Sequence, residues 1–101
     1  ADGKQWGRLV ESSIGAHLIN AQLQGVCSVY YWRDGNDEVD FVVESRGKIT
    51  AIEVKSGSAP RVHRGLAAFE RAFKPDRLLL VGGDGISVAT FLSKPVEHWV
   101  R

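Results

Sequence analysis

The stretch Glu38-Val39-Asp40-Phe41-Val42-Val43-Glu44, the break Ser45-Arg46-Gly47-Lys48, and then Ile49-Thr50-Ala51-Ile52-Glu53-Val54-Lys55 decide how this chain is read. Both flanks are β-branched and aromatic, and Arg46-Gly47 is a turn signal, so the spacing predicts two antiparallel strands joined by a tight hairpin. Strand side chains alternate, which places Val39, Phe41 and Val43 on one face and Glu38, Asp40, Val42 and Glu44 on the other. On the next strand Ile49, Ala51, Glu53 and Lys55 stand together. If Arg46 and Gly47 are the only loop residues, Ser45 pairs with Lys48, and counting outward sets Asp40 opposite Glu53. Like charges directly opposed on a sheet are destabilising. A hard divalent cation, Mg²⁺ or Mn²⁺, would compensate, because it takes carboxylate oxygens together with water and phosphate oxygens. Lys55 would reach the same space. The alternative for these residues is a solvated mixed-charge face on which Lys55 pairs with Glu38.

Working outward, Trp6, Leu9, Val10, Ile14, Leu18 and Ala21 recur at helical spacing between Gln5 and Leu23, and Gly25 ends that helix. Glu11 falls on the shoulder of its apolar stripe. Val26 to Arg33 reads as a strand that turns at Asp34-Gly35-Asn36 into the hairpin. Beyond Lys55, Ser56-Gly57-Ser58-Ala59-Pro60 punctuates the chain, and Val62, Leu66, Phe69 and Phe73 mark a second helix stopped by Pro75. Arg77 to Val81 reads as a buried strand, Gly82-Gly83-Asp84-Gly85 as a tight turn and Ile86 to Phe91 as a fifth strand. A helical turn is expected after Pro95. A helix between the third and fourth strands predicts a right-handed crossover and parallel pairing, hence an α/β (α+β) layer fold.

The chain has 101 residues, of which 44% are hydrophobic and 25% charged, with a formal net charge of +1. That is the length of one domain, 1–101, and the balance excludes a polycation that coats nucleic acid indiscriminately. Cys27 is the single cysteine, so neither a disulfide framework nor a cysteine zinc cluster is expected. His17, His63 and His98 lack ligand spacing. Without a long apolar run or a leader pattern, a cytoplasmic protein with no membrane partner is the expectation. The absence of methionine and the patternless Ala1-Asp2-Gly3 suggest a domain excised from a longer chain.

A helical Glu followed by Asp and then Glu-x-Lys on adjacent strands resembles the PD-(D/E)xK nuclease superfamily. Gly7-Arg8-Leu9-Val10-Glu11, Tyr31-Trp32-Arg33, Glu38-Val39-Asp40-Phe41-Val42 and Ile52-Glu53-Val54-Lys55-Ser56-Gly57 are similar to the nuclease-like C-terminal domain of bacterial and archaeal AAA-type ATPases. Position 39 is Val where the motif name has Pro. The resemblance implies a restriction-endonuclease-like α-β-β-β-α-β core, a mixed central sheet with flanking helices. It further implies Glu11, Asp40, Glu53 and Lys55 as catalytic residues, with Asp40, Glu53 and the Val54 carbonyl as Mg²⁺ ligands. The resemblance also implies the C-terminal part of the parent chain as this domain's place. DNA is then the expected substrate, an ATPase domain in the parent chain the expected partner and a homodimer the expected assembly. Lys55, Arg61 and Arg64 are the expected phosphate contacts, Arg61, Arg64 and Arg71 sharing one side of the second helix. Tyr30, Tyr31 and Trp32 could stack bases, although strand aromatics more often pack. A non-catalytic nuclease-fold module that binds nucleic acid or a partner is the second expectation.

Overall fold

The computed structural model describes residues 3–55 and 64–101, with the side chains of 3, 4 and 64 excepted. The elements run α1 (Gly3–Leu23), β1 (Ser28–Asp34), β2 (Asp37–Ser45), β3 (Lys48–Val54), α2 (Arg64–Phe73), β4 (Arg77–Val81), α3 (Val88–Ser93) and α4 (Val96–Val100). The four strands form one sheet in the order β1-β2-β3-β4. β1, β2 and β3 are an antiparallel meander, and β4 joins β3 in parallel after the α2 crossover. The fold is α+β, as the element order predicts.

Turn chemistry sets the meander. Arg46 (φ 54°) and Gly47 (φ 79°) are both left-handed, the signature of a type I′ hairpin, and Ser45 pairs with Lys48 across them. At the end of α1, Gly25 (φ 79°) closes a Schellman motif: its N–H donates to the Gln22 carbonyl at 3.0 Å, and the Val26 N–H donates to that of Ala21 at 2.9 Å.

The sheet has two apolar faces. Val10, Ile14, Leu18 and Ala21 of α1 pack with Val43, Ile52, Val54 and Val81 and with Phe91, Val96 and Val100 from the C-terminal helices. Leu66 and Phe69 of α2 pack on Val39, Val42 and Ala51 of the other face, with Trp32 and Ile49 alongside. Trp32, Phe69 and Phe73 form an aromatic cluster with ring centroids 4.8 to 6.0 Å apart. Two members of the expected α1 stripe, Trp6 and Leu9, are exposed. At 100° per residue the Val10-Ile14-Leu18 line already faces the sheet, so Leu9 turns away from it.

Two further expectations are corrected. Simple alternation fails along β2, because Tyr30 pairs with Val42 and Trp32 with Val39, so that Tyr31 alone spans Asp40 and Phe41. This β-bulge shifts the pleat by one residue, and Val39 lies with Val42 beneath α2 instead of with Phe41 and Val43. The fifth strand is absent as well: Ile86 makes only an isolated bridge to Val81, and α3 follows it. The Ser87 side chain caps α3 by accepting from the Thr90 N–H at 3.1 Å, and Phe91, four residues on, is fully buried. The cap and a single inward aromatic favour a helical turn over alternation. Cys27 is buried in the larger core, which pushes its thiol pKa up.

Thr50 sits fully buried in the middle of β3, and its hydroxyl has no hydrogen-bond partner among the described residues. A buried hydroxyl left unpaired costs about 1–3 kcal/mol. Thr50→Val should therefore stabilise the protein by about 1 kcal/mol, raising Tm by roughly 4–8 °C in a domain of this size. A melting curve at neutral pH checks this, and an unchanged or lower Tm would contradict it.

Candidate active site

The β2–β3 ladder keeps the predicted register from Ser45–Lys48 as far as Phe41–Ile52, one step short of Asp40 and Glu53. There the bulge bends β2, and the carboxylate of Asp40 takes over from the main chain. Its Oδ2 accepts the backbone N–H of Val54 at 2.7 Å. This brings Asp40 to the segment Glu53-Val54-Lys55. One oxygen is committed to the sheet, while an ionised carboxylate retains lone pairs for further ligands.

Glu53 is half-buried near the end of β3, and Lys55, just past that end, is only 5% exposed. The backbone N–H of Lys55 donates to the Val81 carbonyl at 2.8 Å, extending the parallel pairing with β4 by one residue. Chain geometry thus sets an acid and an amine two residues apart on β3, with a second acid reaching across from β2.

Glu11 approaches from α1. Burial raises its carboxyl above the ordinary value, and the charges of Asp40 and Glu38 push it further the same way. Both strand acids therefore lie within electrostatic reach of α1. Glu38 also accepts a 2.6 Å hydrogen bond from the Tyr31 hydroxyl, and this bond is the main cause of the raised Tyr31 pKa. The Tyr31 hydroxyl is thus a partner of the Glu38 carboxylate. The bond between Tyr31 and Glu38 is what the sequence reading does not anticipate. The lost signal was the bulge, which sets Tyr31 against Asp40. An open cavity of about 380 Å³ lined by Arg8, Glu11, Ser12, Gly15 and Phe41 adjoins the site along α1.

Of the expected phosphate contacts, Arg61 lies outside the described residues, and Arg64 opens α2 with its side chain outside them too. Arg71 is exposed in the last turn of α2. Gly65 brings the start of that helix against β2: a Cβ there would collide with the carbonyl of Glu38. His17 has a structural role, with its Nε2 2.9 Å from the Lys94 carbonyl and its ring edge-on to Phe91.

Among the described residues no three or more His, Cys, Asp or Glu side chains are grouped so as to hold a metal ion. The expected donor set is different in kind: two carboxylates and the Val54 carbonyl. That chemistry fits a hard cation that keeps several waters. Among the described residues no helix is long and apolar enough to cross a membrane.

Residues 6–90 match the family described as a domain of unknown function, DUF4143, and the chain belongs to that family. No curated protein and no solved structure matches it.

The raised Glu11 carboxyl carries a pH signature. An acid whose folded pKa lies above its unfolded value holds its proton more tightly in the native state, so stability falls as pH rises through the interval between the two. Below that interval the effect vanishes. Glu11→Gln should accordingly melt higher than the parent at pH 7, with the gap closing near pH 3 and narrowing in high salt. Melting curves across pH check the sign; a parent that melts higher at pH 7 would overturn it.

Proposed function

For a member of a family whose description names no activity, we propose a metal-dependent nuclease domain that hydrolyses DNA phosphodiesters. The observation that carries this reading is the 2.7 Å bond from the Val54 N–H to Asp40 Oδ2, which joins the acid of β2 to the Glu53-Val54-Lys55 segment of β3. The resemblance to PD-(D/E)xK nucleases supplies the reaction class, and the site chemistry is compatible with it.

Asp40, Glu53 and the Val54 carbonyl would hold Mg²⁺ or Mn²⁺. When bound, the ion supplies Lewis-acid polarisation of a phosphoryl oxygen and lowers the pKa of a bound water. Lys55 brings a positive charge to the fork, where it offsets the negative charge that builds on phosphorus and orients the attacking water. The water oxygen bonds to phosphorus as the bond to the departing sugar oxygen breaks. One proton must leave the water, and one must reach the departing oxygen. Glu11, with its carboxyl held above the ordinary range by burial and neighbouring charge, is suited to auxiliary proton handling. Arg61 and Arg64 are the proposed contacts for flanking phosphates. An ATPase domain in the same parent chain and a homodimeric assembly complete the proposal as the resemblance implies them, in the cytoplasmic setting that the lack of a long apolar run suggests.

A second reading is a non-catalytic module that docks nucleic acid or a protein partner on the same fold. The two readings separate by experiment. Ion binding at a hundredfold excess over Kd stabilises by about 2.7 kcal/mol, so Mg²⁺ or Mn²⁺ should raise Tm by roughly 10–20 °C. Asp40→Asn should abolish that response. The Asn carboxamide oxygen can still accept from the Val54 N–H, and losing a charge beside Glu11 and Glu38 should raise the metal-free Tm. Lys55→Ala should lower metal-dependent cleavage of supercoiled, linear or branched DNA by about a hundredfold or more, the scale of losing one charge-stabilising group. Absence of both an ion-dependent shift and cleavage would leave the non-catalytic module.

A further inference from the structure

Beyond the end of β4 the chain turns through Gly82 (φ 89°) and Gly83 (φ 56°), and both meet Lys55. A side chain at Gly82 would collide with the Lys55 carbonyl, so this glycine lets two backbones touch. The contact at Gly83 is of another kind. A Cβ built there would stand 2.5 Å from Lys55 Cδ and 3.2 Å from Cγ and Cε. The methylene stem of Lys55 therefore occupies the space that any side chain at position 83 would need. This explains how a lysine comes to be only 5% exposed. A free lysine stem samples many rotamers, whereas one laid against a backbone has lost that freedom on folding, before any substrate arrives.

We infer that Gly83 is a positioning residue for the Lys55 ammonium, acting through the side chain it lacks. The catalytic consequence rests on the proposed nuclease reading; the packing relation does not. Gly82-Gly83 is thus more than a tight turn, because its second glycine forms one wall of the slot that aims the amine of the Glu53-x-Lys55 pair.

The test compares Gly83→Ala with Gly35→Ala. Gly35 has nearly the same backbone conformation (φ 62°) but nothing within 4 Å of its would-be Cβ, so it reports strain without collision. With an amine-reactive acylating reagent and peptide mass spectrometry, Lys55 should be modified several-fold faster in Gly83→Ala than in the parent. Other lysines should be unaffected, and Gly35→Ala should behave as the parent does. In metal-dependent DNA cleavage, Gly83→Ala should lower kcat by about a hundredfold, the scale of misplacing a reacting group by an ångström, with KM little changed. Were Gly83→Ala too unstable to isolate, Lys55→Ala/Gly83→Ala should recover a Tm below that of Lys55→Ala by no more than the loss Gly35→Ala shows against the parent, because the shortened side chain vacates the contested space and only the backbone strain remains. Unchanged Lys55 reactivity in Gly83→Ala, or no recovery in the double variant, would overturn the inference. Faster Lys55 modification alongside a parent protein that cleaves nothing would uphold the seat and defeat the nuclease reading.

Discussion

The bond between the Asp40 carboxylate and the Val54 N–H is the constraint around which the site is organised. It exists because two backbone features coincide. A two-residue turn at Arg46-Gly47 holds the register of β2 against β3, and a bulge at Asp40-Phe41 then lets the strands part. A fork in a sheet exposes main-chain groups that need partners. Here an acidic side chain supplies one, and the same side chain is the leading candidate for binding a cation. On the proposed reading, structural and chemical duties therefore fall on a single residue, and a substitution at Asp40 is informative only if it preserves the hydrogen-bond acceptor, as Asn does and Ala does not.

Much of this was legible in the chain itself. The left-handed pair Arg46-Gly47 is encoded by a glycine, and with it came the register that leads to Asp40 and the β3 motif. The α1 stripe and the parallel crossover followed from periodicity and handedness. The bulge was not legible, because Glu38-Val39-Asp40-Phe41-Val42 contains no glycine or proline to mark a break. Only the pairing partner reveals it, since Tyr31 on β1 must span two residues. The helix at Val88–Ser93 was missed for a related reason: six residues are too few to distinguish a helical turn from a strand by periodicity, and the Ser87 cap decides the matter locally. Gly83 was unreadable in another sense, since its significance lies in a contact with a residue far away along the chain.

The two faces of the sheet divide the chemistry. On one, Glu11 of α1 senses the charges of Asp40 and Glu38. On the other, α2 and the Trp32-Phe69-Phe73 cluster form an apolar layer. The bulge connects them, because it moves Val39 onto the aromatic side and lets Val42 pack beside it. A mutation that straightened β2 would consequently disturb both layers together.

The crossover also has a temporal meaning. β1, β2 and β3 are contiguous and joined by two-residue turns, so their pairings close short loops, whereas β4 can dock only after the long excursion through α2. Asp40 and Val54 belong to the early, local part, and Gly83 arrives with the late one. A nascent chain would thus carry its acids in place while the lysine was still loose, and the amine would be locked into its pose by one of the last docking events. Such an order would leave the amine without its seat until the sheet was complete.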